Sequence, residues 1–175
     1  MRYRYFLLIG GFFISSMLTA RSNDSLFMRA AIQKMQHSKD YTLKVARLMP
    51  AENYAFKPDK EEMSFGQQLL HLSANMGWLC SSYLEGGKNP VNKEDEKLQT
   101  KEAIQGVLNK AYDFALLALQ QFDEAHLGDP VTFFAGPMNK LQIINLLSDH
   151  QTHHRAQILV YLRLNGIKPP DYVGW

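Results

Sequence analysis

With 175 residues, 21% of them charged and 46% apolar, the chain has the composition of one globular domain. A formal net charge of +2 with the signs mixed provides no basic face of the kind that nucleic-acid binding requires. The single cysteine excludes an internal disulfide, so the fold must be held by its core.

The first segment, MRYRYFLLIGGFFISSMLTA, has Arg2 and Arg4, an uncharged run from Tyr5 to Ala20, and small residues at its end. This is the pattern of a secretory signal peptide. The run is shorter than the ~20 residues a membrane-crossing helix needs. Residues 1–20 are therefore expected to direct export, to the periplasm or the extracellular space, and residues 21–175 to form the mature domain. An uncleaved N-terminal membrane anchor is the alternative. Cys80 lies far from this segment, which leaves no cysteine for a lipid anchor at the cleavage site.

From Asp24 to Met49, apolar residues recur at Leu26, Phe27, Ala30, Ala31, Met35, Leu43, Ala46 and Leu48, ahead of Pro50. The spacing predicts a helix with one buried stripe. A linker broken by Pro50 and Pro58 follows. The second predicted helix opens with Ser64 and Gln67, a capping-box pair, and is expected to stop at Gly86 and Gly87. A third begins near Thr100 and carries Val107, Ala111, Phe114, Ala118 and Phe122 on one face. The segment Val131–Ala135 has strand-like composition but no evident strand partner, and reads as a loop that packs its aromatics on the helices. The last helix, capped by Asn139 with Gln142 three positions on, runs to Asn165, where Gly166, Pro169 and Pro170 end it. Four amphipathic segments predict an all-α four-helix bundle. The first connection is long enough for an up-down path or a crossover.

Half of the six histidines lie between His150 and His154. Residues four apart on a helix share a face, so His150 and His154 align with Leu147 and Ile158 and point inward. His153 is rotated by about 100° from His154 and shares its face with Asp149. Buried imidazoles need partners for their polar atoms, and a divalent metal bound by an i, i+4 pair would satisfy both. A hydrogen-bonded or surface histidine cluster is the competing reading. A third ligand must come from another helix. His71, set among Leu69, Leu70 and Leu72, is the candidate, although a lone histidine there also fits a satisfied core residue. Cys80 lies about 180° of helical rotation from His71 and reads as an inert buried thiol. His37 and His126 lie in polar surroundings and read as surface residues.

The stretches SFGQQLLHLSANMGWL and HQTHHRAQILVYLRLNGIKPPDY, with the loop AFKPDKEEMSFGQQLLH, resemble the DinB-like (DinB/YfiT) superfamily of metal-dependent four-helix-bundle proteins. The resemblance covers nearly all of the chain beyond its first segment. It implies three histidine ligands for one divalent metal: His71 on the second helix, and His150 and His154 in the H-x-x-x-H-R motif on the fourth. Where the family often has glycine after the arginine, this chain has Ala156.

Three imidazoles leave coordination positions open to water or substrate, and an all-imidazole set suits Zn, Ni, Mn or Fe. Gln68, Asn75 and Trp78 fall on the face of His71, and Tyr161 lies seven residues after His154. With His153 they are candidates to line a pocket or to hydrogen-bond the ligands from behind. Arg155 reads as a surface or interhelical ion-pair residue, and Gln157 as one that bonds across the bundle. The resemblance implies a metal-dependent enzyme of the transferase or hydrolase type acting on a small molecule. The alternative is a metal-binding or sensing bundle without turnover, and a histidine trio that stays empty is a third reading. A homodimer is left open. Dependence on a low-molecular-weight thiol, which family members show, sits poorly with export from the cytosol.

Overall fold

A computed structural model describes residues 25–173. The proposed signal segment, residues 1–20, lies outside the described residues. Four long helices dominate: α1 (Leu26–Leu48), α2 (Phe65–Tyr83), α3 (Lys101–Gln121) and α4 (Lys140–Leu164). Each begins where the sequence supplies a cap. Ser25 and Thr100 accept from backbone N–H groups three residues on. The boxes Ser64/Gln67 and Asn139/Gln142 are both closed, each satisfying two otherwise unpaired backbone donors. None of the helices among the described residues is long and apolar enough to cross a membrane.

The pairing of the helices settles the path of the chain. α2 packs on α3 and α4, and α1 packs on the same two. Consecutive helices α1 and α2 therefore stand across the diagonal of the bundle, as do α3 and α4. Of the two paths the first connection allowed, the crossover is the one taken. That connection is anchored as it goes: the Tyr54 hydroxyl donates to the Ala46 carbonyl at 2.8 Å, and the Gly66 N–H donates to the Tyr54 carbonyl at 2.9 Å. Leu69, Leu72, Met76 and Leu79 of α2 meet Leu108 and Ala115 of α3 and Ile143, Leu147 and Ile158 of α4 in one buried core.

Two local expectations are corrected. Val131–Ala135 is not a loop without a strand partner: Pro130–Phe133 (β1) pairs antiparallel with Gly136–Asn139 (β2), leaving Phe134 and Ala135 as a two-residue turn. Gly136, at φ +125°, adopts the conformation that lets the chain return. The partner strand escaped notice because Gly136 and Pro137 read as loop residues. At the end of α2 the first left-handed residue is Glu85, at φ +57°, rather than a glycine. Gly86 is needed for another purpose. A Cβ there would stand 3.1 Å from each of Ala118 Cβ, Phe114 Cζ and the Cys80 carbonyl oxygen. Glu85 is in turn held by Lys140, whose Nζ lies 2.8 Å from its carboxylate.

One polar cluster lies inside the bundle. The fully buried Tyr112 hydroxyl is 2.7 Å from Gln151 Oε1, 2.9 Å from Thr42 Oγ1 and 3.3 Å from Ser38 Oγ. Gln151 Oε1 can only accept, so the Tyr112 O–H donates to it and the Thr42 hydroxyl donates to Tyr112. Arg155, which the sequence suggested was at the surface or in an ion pair, is buried here. Its guanidinium donates to the Ser38 hydroxyl and sits 5.5 Å from the Tyr41 ring centroid. Replacing Tyr112 with Phe takes this partner from Gln151 Oε1 and the Thr42 hydroxyl, while Ser38 keeps Arg155. The expected loss is about 1–3 kcal/mol, seen as a fall of several degrees in Tm by calorimetry with the helical circular dichroism retained.

Candidate metal centre

The site is built across the α2/α4 seam. α4 contributes His150 and His154, one turn apart, and α2 contributes His71 from the facing turn. One ring nitrogen from each lies within 4.8 Å of the others. The Nε2 atoms of His71 and His150 are 3.1 Å apart. Two zinc-bound nitrogens at about 2.0–2.1 Å in tetrahedral geometry would stand about 3.3 Å apart. The donor set and its spacing therefore fit a divalent cation. His71 is exposed, His150 half-buried and His154 buried, so the trio opens toward His71.

The tautomer of His154 is fixed from behind. Its Nδ1 lies 2.6 Å from Gln68 Oε1, which leaves Nε2 for ligation. Gln68 is fully buried and is itself held: its amide nitrogen donates to Gln157 Oε1 and, at 3.4 Å, to the Tyr161 hydroxyl. The Tyr161 O–H donates to the Met63 carbonyl at 2.9 Å. Gln157 bonds across the bundle, as its position in the motif suggested, and its own amide donates to His153 Nε2 at 3.1 Å.

These contacts sort the candidates. Gln68 and Tyr161 lie behind His154 rather than in a pocket. His153 is exposed and outside the trio, with its ring centroid 4.8 Å from that of His154. Asn75 and Trp78 do line a cavity. It measures about 650 Å³ and has His71 and His150 in its wall. Cys80 is fully buried and its thiol is pushed up to about 12 by burial, so it is inert. His126 is exposed and bonded through Nδ1 to Asp129 at 2.8 Å.

Four contributors were missed by the sequence reading. Phe133 and Phe134 of the hairpin wall the same cavity, and Leu146 joins them. Leu146 could have been found, since it lies four residues before His150 on α4. Glu96, on the short helical turn Lys93–Lys97, shares a smaller cleft of about 260 Å³ with His71. No helical periodicity relates Glu96 to the histidines.

The imidazoles are kept neutral. Burial, followed by the neighbouring His71 and His153 rings, holds His150 down to about 4. Burial, then His150, His71 and His153, holds His154 to about 3. His71 is lowered by burial, against the opposing pull of Glu96. Neutral imidazole is the ligating form.

The sequence model of the DinB family matches residues 21–174. The chain belongs to the DinB family. Among its relatives, the uncharacterized protein YjoA of Bacillus subtilis is 24% identical over 132 residues, spanning 73% of this chain and 84% of YjoA. The crystal structure of YjoA superposes with a TM-score of 0.67 at 17% identity, covering 82% of this chain and 96% of that one. A DinB-like protein from Bacillus cereus gives 0.68 at 20% identity, with 83% and 97% covered. At these identities the two structures establish the fold.

The lowered histidines carry a pH signature in the metal-free protein. Their folded pKa values lie below the unfolded value of about 6.5, so the stability they allow is complete above that pH. It is lost as pH falls from about 6.5 toward the values near 4 and 3, because the unfolded chain then takes up protons that the folded one refuses. Urea midpoints of metal-free protein at pH 7.5 and 4.5 are expected to drop less in His150→Ala/His154→Ala than in the parent chain.

Proposed function

We propose that the protein is a divalent-metal-dependent enzyme of the transferase or hydrolase type that acts on a small molecule. His71, His150 and His154 would hold the ion. The observation that carries this reading is the place of the trio: two of its three histidines form the wall of a cavity large enough for a small molecule. No fourth Cys, Asp, Glu or His joins the cluster among the described residues. Structural sites are usually closed by four protein ligands, whereas catalytic sites keep a position open. That contrast favours turnover over a purely structural or sensing role.

A divalent ion held here would supply Lewis-acid polarisation of a substrate carbonyl or lower the pKa of a water to about 7. The chain supplies the rest. Gln68 fixes the ring of His154, the apolar wall favours an uncharged group, and Asn75 has a side-chain carbonyl oxygen with no hydrogen-bond partner among the described residues. Glu96, exposed beside His71, is the carboxylate placed to exchange protons with solvent at the rim. Export enters this proposal on the N-terminal sequence pattern alone.

Elemental analysis of protein purified without a histidine-rich tag should find about one equivalent of Zn, Ni, Mn or Fe, absent from His150→Ala/His154→Ala. Protein that is metal-free and takes up none of these on titration would overturn the proposal. Gln68→Leu leaves all three ligands but frees the His154 ring, so metal affinity should fall by roughly 10–100-fold in a chelator competition.

A further inference from the structure

The cavity beside the histidines has a definite chemical character. Ala74, Trp78, Phe133, Phe134, Ala135 and Leu146 form most of its wall, and no Lys, Arg, Asp or Glu lines it. A charged substrate portion placed there would be desolvated without a counter-charge. The volume of about 650 Å³ lies in the middle of the roughly 300–1,000 Å³ typical of small-molecule sites.

The aromatic residues differ in arrangement from those of the core. Ring pairs away from the cavity meet edge to face: Tyr54 and Phe65 at 68°, Phe56 and Tyr161 at 81°. Trp78, Phe133 and Phe134 are inclined by only 31° to 36° to one another, with centroids 4.5 to 6.3 Å apart. Phe134 sits on the hairpin turn and is 85% exposed. An unshielded phenyl ring at the rim of an aromatic wall is the feature that a bound apolar group would cover.

Two polar atoms complete the cavity. Asn75 Oδ1 and His150 Nδ1 are buried, without a hydrogen-bond partner among the described residues, and both residues line it. Asn75 Oδ1 calls for a donor. With Nε2 ligating, His150 Nδ1 carries a proton and calls for an acceptor.

We infer that the substrate is a neutral molecule with an aromatic group, which lies against Trp78, Phe133 and Phe134, and an adjoining N–H or O–H that donates to Asn75. Its carbonyl end faces the His71–His150 edge. Aryl amides and their relatives are the simplest class that fits. The assignment of the carbonyl end rests on the metal-centre reading; the aromatic subsite does not.

The test compares two probes, benzohydroxamate and acetohydroxamate, which share a chelating end and differ in the ring. Phe134 is exposed and is not a ligand, so Phe134→Ala should fold and take up the metal alone as the parent does. By calorimetry on metal-loaded protein, benzohydroxamate should bind at least about 10-fold more tightly, the effect of burying one apolar group. Phe134→Ala should reduce that preference to within about 3-fold, and Phe134→Tyr should keep it. Equal affinity for the two probes in the parent chain, with metal bound, overturns the inference and leaves the metal centre standing. If the chain takes up no metal, the metal-centre reading falls. The subsite is then judged by benzamide against acetamide on metal-free protein, read by tryptophan fluorescence. A benzamide preference that Phe134→Ala abolishes supports the aromatic subsite, and the absence of a preference overturns it.

Discussion

The hydrogen bond between His154 Nδ1 and Gln68 Oε1 joins α4 to α2 in the middle of the bundle, and the geometry of the site depends on it. It satisfies a buried amide and a buried imidazole together, either of which alone would be costly to enclose. It also decides which nitrogen of His154 faces the other two histidines. A bond that pairs two buried polar groups across α2 and α4 explains how polar groups occupy the seam of an otherwise apolar bundle. Behind it, the bonds to Gln157 and Tyr161 leave the Gln68 amide only one orientation compatible with its neighbours.

The crossover gives this seam its position. Because α1 and α2 stand on a diagonal, α4 packs against both of them. His154 and Arg155 are neighbours in sequence and differ by about 100° around the helix. In a bundle of four helices, the two helices flanking a third lie about a right angle apart. One residue therefore points to α2 and the next to α1: His154 meets Gln68, and Arg155 meets Ser38 and the face of Tyr41.

Much of this was legible in the sequence because helices announce themselves. Caps at Ser64 and Asn139, the stop at Pro50 and the i, i+4 spacing of His150 and His154 all act within one or two turns, where local geometry is fixed. The candidate ligands share that advantage: a histidine amid Leu69, Leu70 and Leu72 is an anomaly visible without a structure. Apart from Leu146, the features that were missed depend on the tertiary path. Phe133 reaches the cavity only because a two-residue turn pairs its strand with Gly136–Asn139. Glu96 reaches His71 only through the loop between α2 and α3. Arg155 looked like a surface residue because its burial is supported, among the described residues, by the hydroxyls of Ser38 and Thr152 and the ring of Tyr41, not by a carboxylate that charge patterning would reveal.

That last point bears on how the site is held. Among the described residues this buried guanidinium has no acidic partner, so the Coulombic compensation that usually accompanies burial of a charge is not supplied by them. Its compensation here is spread over the Ser38 hydroxyl, the Thr152 hydroxyl at 3.4 Å and the face of Tyr41. The Thr152 contact lies within α4, whereas those to Ser38 and Tyr41 reach across to α1, and rotating α4 would disturb them while turning His150 and His154 away from His71. Arg155 thus ties α4 to α1 at the residue next to the one that ties α4 to α2, so the packing of both neighbouring helices bears on the same turn of α4. On this argument the H-x-x-x-H-R motif is one device: two residues that face His71 across the seam and a third that packs the helix carrying them against α1.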